Sequence, residues 1–423
     1  MATCYWRPSA NPVREAPATD RSSVRDVHMK IVIVGTGVGG LAAAHYLVRA
    51  GHQVEVYEQA DRLRTEGASL ILWSNGTGIL RDLGVDPEAR GSRMDAMNTL
   101  SEDGRTLLRL KLTRLERRFG HPTVVVPRGD LVQELAALLP DGIVHYGKRC
   151  VAINEPPDGS SGPVVAEFAD GSKAAGDMVI GADGHRSLVR RHLHGESPAT
   201  YTGYATWHGL TRMESGLPEE TTGLVFHGKA GFSTMFSAGD GQLQWVFVTP
   251  WTEGDRVPRG VRDERTGDRG NDTSASAVGN LRERFGHLAS PVPEMLAKLT
   301  DDEIGLFPHI LHRVPDQCGR GRVTLIGDAL HAVPPTLAQG VNQTLEDAWC
   351  LQRALNALDG GSTEQRLRAY ESMRVKKLQR LHRMAQAVEN RPAPPRTLRF
   401  APWMVPYTRM TSWTVKTYSN FLQ

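Results

Sequence analysis

The sequence predicts an α/β protein: a doubly wound parallel sheet flanked by helices, interrupted by an inserted antiparallel β-sheet and finished by a helical C-terminal part. Three observations carry this reading. A β-branched run stops at a glycine turn and resumes as a helix, which is how a βαβ unit of a parallel sheet begins. Two short apolar runs far downstream each close on glycine plus acid. Between them lie strand-length pieces broken by glycine, a pattern of neighbouring antiparallel strands. The length of 423 residues allows roughly two or three folded units.

Residues 1–28 carry Pro8, Pro12 and Pro17 with scattered charge and no apolar stretch. They read as a disordered extension, not as a secretory signal. From Lys30 the run Ile31-Val32-Ile33-Val34 forms a strand, Gly35 ends it, and a helical pattern follows through Leu41, Tyr46 and Leu47 to Gly51. A second strand over 53–57 closes on Glu58. The runs at 177–180 and 322–326 supply further strands of this Rossmann-like sheet. In 201–249 the pieces 223–227, 232–237 and 242–249 form the inserted sheet. Residues 255–276 are charged, glycine-rich and almost without large apolar side chains, so they read as a mobile surface loop. A helix over 363–389 carries Leu367, Tyr370, Val375, Leu378 and Leu381 with Arg and Lys between them, and packs on the body. The tail 391–423 holds no Asp or Glu but five basic residues and six aromatics, too many for a plain disordered tail. It reads as a segment packed on the body or on a second copy of the chain; a pocket lid or a membrane-surface contact is the alternative.

Composition excludes several classes. Apolar residues at 40% and charged residues at 23% are ordinary globular usage, against collagen-like or disordered chains. A net charge of +3 without a basic stripe argues against nucleic acid as partner. Cys4, Cys150, Cys318 and Cys350 are scattered, with neither a zinc spacing nor a disulfide framework, so a metal site is not expected and a reducing cytoplasm fits best. The most apolar stretch, 31–50, contains four glycines and a histidine and does not read as a membrane span.

Three motifs carry chemistry. Gly35-Thr36-Gly37-Val38-Gly39-Gly40 fits G-x-G-x-x-G: Gly35 permits the turn, Gly37 lets a pyrophosphate approach, Gly40 lets helix and strand pack closely, and Glu58 stands where a carboxylate accepts from ribose hydroxyls. Alone it does not separate NAD from FAD. The second is Gly181-Ala182-Asp183-Gly184 with Arg186 and Ser187. The third is Gly327-Asp328-Ala329-Leu330-His331, then Pro334-Pro335, then Gly340-Val341-Asn342 at the start of a helix. The prolines stiffen the loop, and the amides of Gly340, Val341 and Asn342 lie at a positive helix end suited to an anion.

In order and spacing these motifs resemble the FAD-dependent aromatic hydroxylases, single-component flavoprotein monooxygenases. Residues 67–76 and 201–210 are most similar to the branch of urate, salicylate and 3-hydroxybenzoate hydroxylases and zeaxanthin epoxidase. The likeness runs over about 30–391. It implies a discontinuous FAD-binding domain (29–95, 122–195 and 305–390) and a substrate domain (96–121 and 196–304). The glycine turn and Glu58 would hold the ADP half of FAD, Asp328 the ribityl chain, and Arg128 the flavin; Asp183 and Arg186 would serve both FAD and a visiting nicotinamide. The helix end at Gly340 would stabilise reduced flavin. NADH or NADPH would reduce the flavin, O2 would give a C4a-hydroperoxyflavin, and its distal oxygen would hydroxylate or epoxidise a small aromatic or conjugated molecule, in secondary metabolism or aromatic catabolism. The protein would be a monomer or homodimer. Two departures stand out: the family often has glycine where Leu337 or Ala338 stands, and Leu330 replaces a smaller residue.

Substrate-contacting residues are read from periodicity. In Tyr204-Ala205-Thr206-Trp207-His208, positions 204, 206 and 208 share a strand face, so Tyr204 and His208 are candidates, with the opposite face the alternative. Arg212 and His227 lie in the same region and would pair with an acidic or enolic substrate. Pro335 completes the candidate catalytic set. The rival readings are a flavin oxidase or reductase without oxygen insertion and, further off, a non-catalytic nucleotide-binding redox regulator; the W-x-W-x-I-P signature of flavin halogenases is absent.

Overall fold

The computed structural model describes residues 28–157, 162–213, 219, 221–228, 231–238, 241–357, 361–389 and 407–423. Nearly all of the expected N-terminal extension, and 391–406 of the tail, lie outside them. The β-branched run becomes the middle strand, Lys30–Val34, of a five-stranded parallel sheet in the order Val323–Leu325, Met178–Gly181, Lys30–Val34, Gln53–Tyr57, Val144–His145. Ile31 pairs with Met178 on one side and Val54 on the other. Ile31, Val32 and Ile33 have no solvent exposure, because both faces of the sheet are covered. Each such buried side chain stabilises the fold by roughly 2 kcal/mol. Helices Val38–Arg49 and Gly340–Ala357 pack on one face. A three-stranded antiparallel sheet, Cys150–Asn154, Val164–Phe168 and Lys173–Gly176, covers part of the other.

The inserted sheet has eight strands in the order Arg262–Asp263, Gly305–Leu311, Thr200–Arg212, Gln242–Pro250, Gly231–Ser237, Thr222–Gly228, Ala96–Leu100, Thr106–Lys111. Most pairs are antiparallel; Thr222–Gly228 runs parallel to Ala96–Leu100, and Arg262–Asp263 parallel to its neighbour. One face packs on helices Ala277–Phe285 and Val292–Lys298, where Trp207, Trp245, Phe247 and Phe285 meet and the Phe247 and Phe285 rings lie 4.5 Å apart. The other face looks toward the parallel-sheet unit.

The expectation of a mobile loop over 255–276 is overturned. Val261 is fully buried, Arg262–Asp263 adds to the sheet edge, and Asp263 N donates to Asp268 O at 2.8 Å. A single buried valine and a short ladder order a segment whose composition is otherwise that of a loop.

Helix Thr363–Glu389 buries Leu367, Tyr370, Leu378 and Leu381, and with them Arg366, Glu371 and Arg374. The described part of the tail, helix Tyr407–Tyr418 and the residues after it, packs on the body. Val415 is buried beside Leu112 and Leu115, and Arg118 Nη1 donates to Ser412 Oγ at 2.8 Å.

Candidate active site

The glycine turn is shaped by exclusion. Gly35 has φ +109°, and a Cβ there would strike the carbonyl of Ala182; a Cβ on Gly40 would strike the carbonyl of Gly35. Only glycine fits such positions. At Gly37 an added Cβ would meet nothing within 4 Å, so the first amides of helix Val38–Arg49 open onto free space. Glu58, buried at the end of its strand, fastens the turn: Oε2 accepts from Thr36 N at 3.1 Å and Thr36 Oγ1 at 2.8 Å, and Oε1 from Ala60 N at 2.9 Å.

Asp183 is turned into its own helix. Its carboxylate accepts from Ser187 Oγ, from Leu188 N at 2.7 Å and from Val189 N at 3.2 Å, while burial outweighs these bonds and holds its pKa above the usual carboxylate range. Arg186 is exposed. Asp328, by contrast, points outward after Gly327 (φ +59°), and its charge acts on Arg128, His185 and His312, which places these groups around one space. Arg128, at the start of helix Arg128–Ala137, donates to Glu66 O at 2.9 Å and Arg64 O at 3.3 Å.

The third motif ends in a helix whose first internal bond runs from Gln343 N to Gln339 O at 2.9 Å, leaving the amides of Gly340, Val341 and Asn342 without a partner inside the helix. Next to Gly340 an added Cβ would meet only Val333, at 3.9 Å. The Asn342 side chain is fully buried and works as a staple: Nδ2 donates to Ile71 O and Ala338 O, both at 2.9 Å, and Oδ1 accepts from Trp73 N at 2.9 Å. Ala338, one of the departures noted above, adopts φ +48°, the left-handed region that favours glycine, and its carbonyl also accepts from Trp73 Nε1 at 3.0 Å. Pro335 is exposed in the turn Pro335–Leu337, where its carbonyl accepts from Ala338 N at 2.8 Å.

On the inserted sheet, register puts Tyr204, Thr206, His208, Leu210 and Arg212 opposite Pro250, Val248, Val246, Gln244 and Gln242, so these residues share a face. That face is the one turned to the parallel-sheet unit, since Gln244 Oε1 accepts from Ser69 N at 2.7 Å while Trp207 points into the helices behind. His208 is buried with Nε2 3.6 Å from Glu264 Oε1 and Nδ1 unpartnered. Burial lowers its pKa, against the pull of Glu264. His227 lies on the same face, its ring 4.9 Å from that of Phe232, its pKa lowered to about 4 by burial. Tyr204 is half-buried. Arg212 is exposed. At about 3.3 Å per residue it stands about 26 Å from Tyr204, so one small substrate does not touch both.

Composition and spacing did not single out Thr36, Trp73, Gln244 or Glu264, each of which works through a partner distant in sequence. Nor did they show the fully buried ionic cluster beneath the third motif. Asp347 Oδ2 accepts from Gly327 N at 2.9 Å and meets His331 Nε2 at 2.6 Å; Asp347 Oδ1 accepts from Arg374 Nε at 2.7 Å. The signal was present: Glu346 and Asp347 sit side by side in a helix with an apolar face. Among the described residues no group of three His, Cys, Asp or Glu is placed to hold a metal ion.

The family model for an FAD binding domain matches residues 28–385. The chain belongs to the FAD-dependent aromatic hydroxylases. It is 34% identical over 366 residues to a 3-amino-4-hydroxybenzoate 2-monooxygenase of Streptomyces cremeus, covering 85% of this chain and 87% of that one. It is 31% identical over 364 residues to a 6-hydroxynicotinate 3-monooxygenase of Bordetella bronchiseptica, covering 84% and 90%. Klebsiella pneumoniae HpxO, solved with FAD and uric acid, superposes with a TM-score of 0.81 at 25% identity, covering 93% of this chain and 98% of that one. The flavoprotein is thus an FAD-dependent monooxygenase, and its geometry suits the cofactor: two helix N-termini open to anions, and an exposed carboxylate, Asp328, after Gly327. No described helix of the flavoprotein is long and apolar enough to cross a membrane.

Proposed function

We propose that this monooxygenase hydroxylates a small, electron-rich aromatic ring bearing an ionisable hydroxyl, with NADH or NADPH and O2 as co-substrates. Gly35, Gly37 and Gly40 would take the FAD diphosphate, Glu58 the ribose, Asp328 the ribityl chain, Arg128 the flavin edge and the amides of Gly340, Val341 and Asn342 the anionic pyrimidine. Asp183, committed to its helix cap, would act there by holding the turn. Held by these residues, FAD would supply the redox chemistry, drawing reducing equivalents from the nicotinamide and delivering one electrophilic oxygen atom of O2, with the other leaving as water.

The observation that carries this reading is His208. It lies on the sheet face turned to the cofactor unit, neutral at pH 7 because burial lowers its pKa. Glu264 favours the proton on Nε2, which leaves Nδ1 a buried acceptor without a partner. A substrate hydroxyl donating to Nδ1 would satisfy it, and transfer of that proton would raise the electron density of the ring, with Glu264 stabilising the imidazolium. Val246 and Thr234, which follow His208 across the same face, would line the ring's bed and exclude water. The relatives support this class: their names describe hydroxylated or amino-substituted aromatic acids.

The three described cysteines, Cys150, Cys318 and Cys350, are free, and burial raises the Cys150 thiol to about 12. The free thiols support our placement of the enzyme in the reducing cytoplasm; that it works as a monomer or homodimer is part of the same proposal. The test is a screen of hydroxybenzoates and hydroxynicotinates for stimulated NAD(P)H oxidation, with isotope-labelled O2 traced into product. Label in the product supports hydroxylation; stimulated oxidation giving only peroxide supports an oxidase or reductase instead. His208→Ala with unchanged turnover and unchanged product-to-peroxide ratio removes His208 from the mechanism.

A further inference from the structure

A second buried polar cluster lies where three elements meet, and the mechanism above does not use it. His309, fully buried in strand Gly305–Leu311, meets Thr206 Oγ1 with Nε2 at 2.7 Å and Glu389 Oε2 with Nδ1 at 2.8 Å. Glu389 also accepts from Thr202 Oγ1 at 2.8 Å and, through Oε1, from Thr336 Oγ1 at 3.1 Å. Thr202, Thr206 and His309 belong to the inserted sheet, Thr336 to the turn that precedes the Gly340 helix end, and Glu389 to the last position of helix Thr363–Glu389. An acid there sits at the wrong end of the helix dipole and inside the protein, so helix stability does not explain it. Its bonds to His309, Thr202 and Thr336 do, and hold its pKa below the usual range against burial.

We propose that His309 and Glu389 are positioning residues that lock the loop before Gly340 to the substrate-facing strand, so that cofactor and substrate keep one separation during oxygen transfer. The proposal rests on the Gly340 helix end as the flavin site. Thr206 stands between Tyr204 and His208 on the face that would bed the substrate, and Thr336 stands beside Pro335 in the loop. A rigid tie between them suppresses excursions in which reduced oxygen escapes as peroxide. The pair therefore governs how much product forms per NAD(P)H, and not how tightly FAD binds.

Thr336→Val removes one hydroxyl at constant shape, and Thr336→Ser restores it. In the full chain stripped of flavin, Thr336→Val should speed amide exchange over 332–340 about fivefold, the worth of one net hydrogen bond, while Thr336→Ser leaves it as in the wild type. In the FAD-loaded protein, with 3-amino-4-hydroxybenzoate as the probe, or whichever screened acid stimulates the wild type most, Thr336→Val should lower product per NAD(P)H severalfold with peroxide rising to match. The rate of NAD(P)H oxidation and the FAD dissociation constant should stay within about twofold. Unchanged exchange, unchanged coupling, or a loss of FAD affinity in step with coupling overturns the proposal. A wild type that binds FAD but makes no oxygenated product refutes the functional reading instead, and leaves the exchange result to judge the tie.

Discussion

Gly35 and Gly37 stand two residues apart and do opposite work. Gly35 is required by the fold, because its φ of +109° and the carbonyl of Ala182 both reject a side chain. Gly37 has φ −66° and ψ 174°, which any residue adopts, and open space where a Cβ would go. Gly37→Val should thus fold with an unchanged far-ultraviolet spectrum yet lose FAD, measured as flavin absorbance per chain, whereas Gly35→Val should lose both. Ala338 poses the converse case. At φ +48° a left-handed residue without a glycine's freedom is strained by about 1–2 kcal/mol, and β-branching adds to it. Urea midpoints of the apoprotein should rank Ala338→Gly at or above the wild type, with Ala338→Val lower by about 1–2 kcal/mol; an unchanged valine variant would show that the loop relaxes.

At the scale of elements, the helix Gly340–Ala357, the helix Thr363–Glu389 and the last residues of the chain are joined by charge rather than by apolar contact alone. Arg374, fully buried, donates to Asp347, to Gln343 O at 3.1 Å and Oε1 at 2.8 Å, and to Asn420 Oδ1 at 3.1 Å. Glu346 accepts from Asn75 Nδ2, Ser419 Oγ, Asn420 N and Phe421 N. Removing one partner leaves the others buried and unpaired, so Arg374→Met should cost about 3–5 kcal/mol, read from the urea midpoint. Ending the chain after Tyr418 should likewise lower the melting temperature, because it strips three partners from Glu346. The helices themselves were legible: apolar spacing predicted a helix over about 363–389, and the structure has one at Thr363–Glu389. Their ionic seam was not, since Arg374 looks like any other cation among the arginines and lysines of that helix until its partners on a separate helix are known. The same holds in the site. Glycines that a turn demands declare themselves locally, but Glu264 reaches His208 only because buried Val261 draws a polar loop onto the sheet edge, a contact no periodicity encodes.

Over the whole molecule, strand patterns located the parallel sheet and the middle of the inserted one, where apolar β-branched runs are buried, whereas the joining of an early hairpin, Ala96–Leu100 with Thr106–Lys111, to strands far downstream depends on long-range packing. This distributed burial has one consequence that no single element shows. Histidines in several layers, His185, His208, His227, His312 and His382 among them, are held neutral by desolvation, His227 and His312 at about 4. A histidine whose folded pKa is lowered takes up its proton more readily in the unfolded chain, so its stabilising contribution is full above the ordinary value of 6.5 and is lost as pH falls from there toward about 4. Asp347, held low by His331 and Arg374, adds a loss further down, as pH falls through the carboxylate range. The apoprotein should therefore be most stable around neutrality, below the range where its buried thiols begin to ionise in the unfolded chain, and lose stability steeply between about pH 6.5 and 4. Denaturation midpoints measured across that range should show the slope, and His227→Gln should flatten it, since the amide keeps the volume and carries no proton to gain. A midpoint that holds level down to pH 4 would mean that these imidazoles are solvated in solution, and with them the pocket face that His208 shares.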